Sequence, residues 1–225
     1  MAAPVLHRDD PDAAPLVGNI KVTRQDWLNV ALDVLVSDGV ERVKVLTLAD
    51  RMQVSRSSFY WYFKSRQALL DALLEQWQAK NTAGMVAQAQ QPAQTITEAV
   101  LNVQRCVVNT RLFDTALDFA VRDWSRRSDK VRDILDRSDA RRVDAIRDMF
   151  MRHGFGETEA LTRARVLYYM QLGYDMAQLG ETPAQRLALV PHYLFVFTGQ
   201  HAPSGEIDAF ATYARHYMTP KEPMP

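Results

Sequence analysis

The chain has 225 residues, 47% of them hydrophobic, and its 27 basic residues balance 27 acidic residues. Its single cysteine, Cys106, excludes an internal disulfide and fits a reducing cytoplasm, and no apolar run reaches the roughly 18 residues that span a bilayer. The length allows a small domain of about sixty residues beside a larger second core.

The amino-terminal segment contains three prolines among alanines and aspartates, without the basic and apolar regions of a signal sequence. We therefore predict a disordered leader over residues 1–18. A first helix is predicted to begin after Thr23, whose side chain suits an N-cap, with Asp26 favourably placed in the first turn. Gly39 is predicted to end this helix in the left-handed conformation.

The stretch 46–74 has the pattern of two short helices joined by a tight turn. Apolar residues recur on one stripe of the first of these helices. Ser55 suits the N-cap of the second helix, which is predicted to run over residues 56–62. Phe59 and Phe63 are four residues apart and can close onto the apolar stripe as a small core.

The other side chains of this second helix are basic, aromatic or small and polar. The four charged residues between positions 51 and 70 are all basic, although the whole chain is neutral. Arginine can bind a guanine edge, and serine and tyrosine hydroxyls can reach phosphates. The residues of this segment predicted to contact DNA are Ser55, Arg56, Ser57, Ser58, Tyr60, Trp61, Tyr62, Lys64 and Arg66.

The region resembles the DNA-binding domain of the TetR family of bacterial transcriptional regulators. The resemblance is carried by the run Ser58-Phe59-Tyr60-Trp61-Tyr62-Phe63, the basic turn Lys64-Ser65-Arg66 and the Leu69-Leu70 pair of a buttressing helix. Many relatives cap the helix before the turn with a Thr or Ser that touches a phosphate. This chain has Lys44-Val45-Leu46-Thr47 there, and Lys44 or Thr47 is expected to replace that contact.

Every long segment beyond residue 74 has helical periodicity, and nothing alternates with period two for long. The predicted helices are 67–90, 95–111, 114–125, 129–152, 158–179, 183–197 and 206–218. We predict an all-α fold, with a three-helix DNA-binding domain over 19–66 and a helical bundle over 67–218. A carboxyl-terminal tail over 219–225 would follow.

The resemblance extends to the second half through motifs such as Arg122-Asp123-Trp124 and Gly154-Phe155. It implies that this half binds a small-molecule effector and pairs two subunits. The residues predicted to bind the effector are Asn109, Phe113, Leu117, Tyr169 and Tyr174. The residues predicted to form the dimer interface are Ala160, Ala164, Leu167 and Tyr168, with packing inside one subunit as the alternative interpretation.

The resemblance therefore implies a ligand-responsive repressor that binds a pseudo-palindromic operator as a homodimer, with activation as a variant. No cofactor and no metal are expected, because the five histidines are scattered and no glycine-rich phosphate loop is present. Cys106 is interpreted as a small buried apolar residue. Two other functional classes stay open. The protein could be a helical small-molecule carrier or enzyme with a vestigial DNA-binding domain, or a protein-interaction module that binds its partner through residues 60–62.

Overall fold

The computed structural model describes residues 22–218 of the chain. Every regular element among these residues is helical, which confirms the predicted all-α class. The predicted leader at 1–18 and the predicted tail at 219–225 lie outside the described residues. No helix within residues 22–218 is both long enough and apolar enough to cross a membrane.

The helices follow the predicted order along the chain. They are α1 (Arg24–Asp38), α2 (Val45–Met52), α3 (Arg56–Phe59), α4 (Arg66–Trp77), α5 (Ala83–Ala89), α6 (Ile96–Val108), α7 (Thr115–Ser125), α8 (Asp129–Arg152), α9 (Glu157–Ala177), α10 (Pro183–Thr198) and α11 (Ser204–Met218). Two predictions need correction. The helix predicted over 67–90 is interrupted by a π turn at Gln78–Thr82, and the helix predicted over 56–62 ends at Phe59.

The chain divides into two compact units. Unit 1 contains the described residues up to Trp77 together with Ala116–Val131, and unit 2 contains Gln78–Thr115 together with the described residues from Arg132 onward. This division differs from the boundary predicted after residue 66.

The side chain of Trp77 explains why unit 1 extends beyond the predicted boundary. Trp77 is buried, and its indole Nε1 donates a hydrogen bond of 2.9 Å to Oδ1 of the buried Asp118. The other carboxylate oxygen of Asp118 accepts from Nε of Arg122, also at 2.9 Å. A buried carboxylate needs such partners, so α4 is tied to the helix segment that begins at residue 116.

Helix α1 begins as its sequence predicts. Oγ1 of Thr23 accepts from the backbone N–H of Asp26, and the Asp26 carboxylate accepts from the backbone N–H of Thr23 at 2.7 Å. This reciprocal capping box satisfies two backbone donors that the first turn would leave unpaired. Gly39 ends the helix with φ 79° and ψ 169°, so the predicted positive φ is present but the predicted left-handed helical ψ is not.

Three aromatic side chains form the centre of the unit 1 core. The ring of Trp27 meets Phe59 edge-on at 5.2 Å between centroids, and Phe59 stacks on Phe63 at 5.4 Å. Leu48 is fully buried with them. Phe59 and Phe63 therefore occupy the core positions that their spacing predicts, and they anchor the segment that carries the polar face of α3.

Unit 2 encloses a separate apolar core, contributed by α5, α6, α8, α9, α10 and α11. Polar side chains fix α11 along α6 at both ends. Oγ1 of Thr95 and Oγ1 of Thr97 donate to the two carboxylate oxygens of Glu206 at 2.7 and 2.6 Å. Near the other end, Nδ2 of Asn109 donates to the Tyr213 hydroxyl at 2.7 Å.

Candidate functional site

The turn between α2 and α3 sets the direction of the predicted DNA-reading helix. Gln53 adopts the left-handed conformation with φ 55° and ψ 42°. Its N–H donates to the carbonyl of Asp50, and the N–H of Val54 donates to the carbonyl of Ala49 at 3.0 Å. This is the pairing of a Schellman helix end. The sequence gives little sign of it, because glutamine is not a residue that this conformation favours.

Helix α3 is short, and its serines bond mainly to one another. The hydroxyls of Ser55 and Ser57 share a hydrogen bond of 2.7 Å, and Oγ of Ser58 donates to the carbonyl of Ser55 at 2.8 Å. Ser55 occupies the predicted N-cap position, but its side chain makes no capping hydrogen bond to α3. The predicted role of its hydroxyl as a cap is therefore wrong.

The surface beside the buried Phe59 presents large aromatic and basic side chains to solvent. Tyr60 is 60% exposed and Trp61 is 81% exposed, while Arg56 and Lys64 are also exposed. Tyr60 and Trp61 are neighbours in the chain, and contiguous exposed apolar side chains are a feature of binding surfaces. Lys44, at the start of α2, and Ser57 are exposed as well, whereas Thr47 and Ser58 are half-buried.

Two residues predicted to contact DNA are engaged within unit 1. The Tyr62 hydroxyl donates to the carbonyl of Val22 at 2.7 Å. The Arg66 guanidinium donates to the carbonyl of Val40 at 2.7 Å and to the carbonyl of Val43. These hydrogen bonds give Tyr62 and Arg66 a structural role, since they hold the chain that precedes α2, and their contact with DNA stays a prediction.

Two further features of this surface were missed by sequence reasoning. Leu46 is half exposed on the first turn of α2, close in sequence to Lys44. The guanidinium of Arg24 lies 5.0 Å from the centre of the Phe63 ring. Periodicity could identify Leu46 as lying off the buried stripe, but no sequence pattern pairs Arg24 with an aromatic ring far along the chain.

Unit 2 contains two neighbouring cavities, which we call lobe 1 and lobe 2. Lobe 1 has a volume of about 70 Å³ and lobe 2 of about 30 Å³. Both are mainly apolar, and they share the side chains of Gln104, Val107 and Gln171. The other residues that line lobe 1 include Leu101, Met170, Tyr174, Tyr193 and Phe197, and those that line lobe 2 include Met85, Cys106, Phe113, Leu167 and Tyr168.

The five residues predicted to bind an effector divide into two sets. Phe113 lines lobe 2 and Tyr174 lines lobe 1. The other three line neither lobe, so the lobes do not support their predicted role. Asn109 is buried and donates to Tyr213, Leu117 is buried in unit 1, and Tyr169 is 52% exposed. The period of a helix places a residue on a face, but it does not decide which face borders a cavity.

The four residues predicted to form a dimer interface are instead buried inside unit 2. Ala160, Ala164, Leu167 and Tyr168 belong to its core, and the last two also line lobe 2. The alternative interpretation, packing within one subunit, therefore describes their contacts. The exposed apolar side chains of α9 and α10 are others, namely Val166, Tyr169, Met176, Phe195 and Val196.

The polar groups near the lobes have defined partners. The Tyr174 hydroxyl donates to Glu181, and the guanidinium of Arg186 lies 5.2 Å from the centre of the Tyr174 ring. Burial and the hydrogen bond to Glu181 raise the pKa of Tyr174. Burial also raises the pKa of the Cys106 thiol to about 12. Within residues 22–218 no three His, Cys, Asp or Glu side chains are grouped so that they could hold a metal ion.

A helix-turn-helix that exposes aromatic and basic side chains is the docking unit of many DNA-binding proteins, and this chain also carries a helical unit with apolar cavities. The family model of bacterial regulatory proteins of the tetR family matches residues 28–73. The tetracycline repressor protein class A from transposon 1721 of Escherichia coli is 39% identical over 62 residues, which cover 28% of this chain and 29% of that repressor. The class C tetracycline repressor of Escherichia coli is 40% identical over 55 residues, or 24% of this chain and 25% of the repressor.

Solved structures extend the likeness to the whole fold. FadR from Bacillus halodurans, a regulator of fatty acid degradation, has a TM-score of 0.57 at 15% identity and covers 80% of this chain and 97% of its own. AmtR from Mycobacterium smegmatis also has a TM-score of 0.57 at 15% identity, and the match covers 88% of this chain and 95% of AmtR. The likeness to the tetR family model and to the curated repressors lies in the DNA-binding region, and the matched stretches span less than a third of the length of those repressors.

Proposed function

We propose that the protein is a ligand-responsive transcriptional repressor that binds a pseudo-palindromic operator as a homodimer. The observation that carries the proposal is the exposed surface of Arg56, Tyr60 and Trp61 beside the buried Phe59. An apolar anchor fixes the backbone, so the exposed side chains reach outward from a rigid support. This is the arrangement that a recognition helix needs in a major groove.

Each exposed side chain has a distinct task in this proposal. Arg56, at the first position of α3, is placed to bind the O6 and N7 acceptors of a guanine. Trp61 and Tyr60 supply apolar contact to a thymine methyl group or to sugars. Lys44 and Lys64 neutralise phosphates on either side and contribute binding that depends on salt but not on sequence.

We propose a homodimer because a single helix-turn-helix is too small to recognise a long DNA sequence. A single helix-turn-helix contacts only a few base pairs, and a two-fold pair of readers binds two half-sites separated by about one helical turn. The exposed apolar side chains of α9 and α10, among them Val166 and Val196, support pairing through this face of unit 2. The predicted interface residues Ala160 and Ala164 would contribute by shaping these helices from inside.

An effector is proposed to act through lobes 1 and 2. Their apolar and aromatic lining, with a few polar groups such as Gln104 and Gln171, is typical of a small-molecule site and favours a moderately apolar ligand. Ligand binding would shift the population of the dimer toward a state whose readers no longer fit successive major grooves. Activation differs only in which state binds DNA.

Footprinting on the DNA upstream of the protein's own gene tests the assignment. Arg56→Ala should weaken binding to the protected sequence by about 1–3 kcal/mol, whereas Lys64→Ala should weaken binding to any sequence and reduce the salt slope by about 1. Arg127→Ala is the matched control, since Arg127 is an exposed arginine elsewhere in unit 1. The proposal is wrong if Arg56→Ala and Lys64→Ala both bind DNA as the control does.

A further inference from the structure

The long helical segment from Arg66 to Ala89 contains one π turn, at Gln78–Thr82. The chain leaves unit 1 and enters unit 2 at the first residue of this turn. A π turn is less favourable than a continuous α-helix and persists where its surroundings hold it, often at a functional site. Two sets of contacts hold the π turn at Gln78–Thr82.

The first set of contacts is made with the loop between α6 and α7. The Asn81 side chain is fully buried and forms two hydrogen bonds of 2.9 Å with the backbone of Asp114, one to its carbonyl and one from its N–H. Lys80 forms an ion pair of 3.2 Å with the Asp114 carboxylate. Close by, a Cβ at Gly84 would overlap the carbonyl oxygen of Leu112. The turn and the loop are therefore fitted to one another.

The other contact is a buried arginine. Nε of Arg142 donates to Oγ1 of Thr82 at 3.1 Å, and both residues are buried. Its Nη1 donates to the Tyr168 hydroxyl at 3.0 Å, and its guanidinium lies 5.2 Å from the centre of the Phe113 ring. Asp139 supplies the counter-charge at 3.6 Å. Such partners hold a buried guanidinium in one place, because a buried charged or polar group that loses its partner costs free energy.

Phe113 and Tyr168 also form part of the wall of lobe 2. The volume of lobe 2 is about 30 Å³. Benzene occupies an engineered apolar cavity of about 150 Å³, so a ligand that enters lobe 2 has to displace its walls. Since both walls contact Arg142, their displacement changes the position of the group that bonds to the π turn.

We propose that Arg142 is a positioning residue that couples occupancy of lobe 2 to the state of the π turn at Gln78–Thr82. The inference rests on the proposed function, since it assumes that a ligand enters the lobes. When the walls move, the Arg142–Thr82 hydrogen bond is lost and the turn loosens toward α-helical pairing. Removing a π turn changes the helical register on its two sides by one residue, or about 100°. The register change occurs in the segment that continues α4.

Hydrogen–deuterium exchange of the backbone over residues 78–86 tests the coupling in the full-length protein. The probe is N-phenyl-1-naphthylamine, an uncharged apolar fluorophore. In the wild type, saturating probe should raise exchange in this segment by about 2- to 10-fold, the effect expected from losing one net hydrogen bond. Binding is assigned to the lobes by Val107→Trp, which fills both of them and should abolish probe binding.

Two variants each remove one hydrogen bond of Arg142, one on the side of the π turn and one on the side of lobe 2. Thr82→Val removes the acceptor of Nε and keeps the shape of the side chain, and Tyr168→Phe removes the acceptor of Nη1 and keeps the ring in the wall. Thr82 lines neither lobe, so Thr82→Val should bind the probe with an affinity within about two-fold of the wild type. Each variant is measured at its own saturating probe concentration, and both should show no probe-dependent change in segment 78–86. Thr198→Val, at another buried threonine of unit 2, is the control and should respond as the wild type does.

The outcomes separate the inference from the proposed function. If the wild type does not bind the probe, or Val107→Trp binds it equally well, the ligand-binding proposal fails and the coupling fails with it. If the wild type binds the probe in the lobes but segment 78–86 does not respond, only the coupling is wrong. The same conclusion holds if Thr82→Val and Tyr168→Phe keep the full response. If Thr82→Val does not fold, Tyr168→Phe alone still tests the coupling.

Discussion

At the scale of single residues, the two arginines Arg56 and Arg66 have opposite surroundings. Arg56 is exposed at the start of α3, whereas Arg66 donates to the carbonyls of Val40 and Val43. Both are cations in one basic segment, so their charge alone does not distinguish a residue that contacts DNA from one that supports the fold. The difference lies in whether backbone acceptors from earlier in the chain meet the guanidinium.

We expect Arg66→Met to destabilise the protein. The substitution leaves two carbonyl acceptors without their charged donor, and hydrogen bonds to charged groups contribute about 1.5–3 kcal/mol. The free energy of unfolding in urea should fall by about 2 kcal/mol, whereas Arg56→Met should change it by less than about 0.5 kcal/mol. Equal stability of the two variants would contradict the structural role of Arg66.

Cys106 should be chemically inert in the folded protein. Burial raises the pKa of its thiol to about 12, and the nearby Arg142 only partly offsets this. Since the thiolate is the reactive form, roughly one thiol in ten thousand is ionised at pH 8. Iodoacetamide should leave the native protein unmodified at this pH and alkylate it in urea. Rapid labelling of the native protein would show that the thiol is accessible and ionised.

At the scale of elements, residues close in sequence decide where a helix begins, whereas residues far apart in sequence decide which groups its surface contacts. The capping box of Thr23 and Asp26 lies within one turn of sequence, and the structure forms it as predicted. The π turn at Gln78–Thr82 has no signal of its own, because its partners Asp114 and Arg142 lie 33 and 60 residues away from the residues they bond to. Periodicity predicts an uninterrupted helix there.

The contribution of the α1 capping box should depend on pH. The hydrogen bonds from the backbone and side chain of Thr23 lower the pKa of Asp26 from its ordinary value of 3.8. The stabilisation is therefore fully present above pH 3.8 and is lost as the pH falls through the lowered native pKa. Asp26→Asn should reduce stability by about 0.3–1 kcal/mol at neutral pH.

The measurement for this capping box is urea unfolding of both proteins across a pH series. The difference between wild type and Asp26→Asn should shrink as acid protonates the carboxylate, because the wild type then loses the charge that the variant lacks at every pH. A difference that stays constant down to the most acidic point would mean that charge at Asp26 does not contribute. Substitution at Asp33, which has no capping partner on α1, serves as the comparison.

At the scale of the whole molecule, the proposed dimer depends on a face that the core of unit 2 leaves exposed. Val196 is 65% exposed, and with Val166 it lines a shallow surface cavity of about 270 Å³. A single valine in solvent is ordinary, but several apolar side chains on adjacent helices form a patch that a second copy can cover. The face is carried by α9 and α10.

Val196→Glu should convert the dimer to monomers. The substitution removes the apolar contact of Val196 and adds a charge that is costly to bury between two subunits, although Arg163 lines the same cavity. Light scattering coupled to size exclusion should report the change, and binding to the footprinted operator should weaken with it. Val36→Glu, at an exposed valine of α1, should leave the mass unchanged. A dimeric Val196→Glu protein would contradict the proposed interface.

The sequence alone determined the helical class, the order of the helices and the helix-turn-helix with its buried Phe59 and Phe63. These features depend on periodicity, capping and spacing, which act over a few residues and are therefore visible in the chain. Exposure of Trp61 was also within reach, because no apolar stripe includes it.

Only the tertiary structure decided which polar groups remain available. Tyr62 donates to a carbonyl 40 residues earlier, and Arg66 to one 26 residues earlier, so part of the hydrogen-bonding capacity of each is used within unit 1. The burial of Ala160 in unit 2, the lining of the lobes and the π turn held by Arg142 have the same origin. Each is a contact between residues far apart in sequence, and such contacts form only when packing brings their helices together.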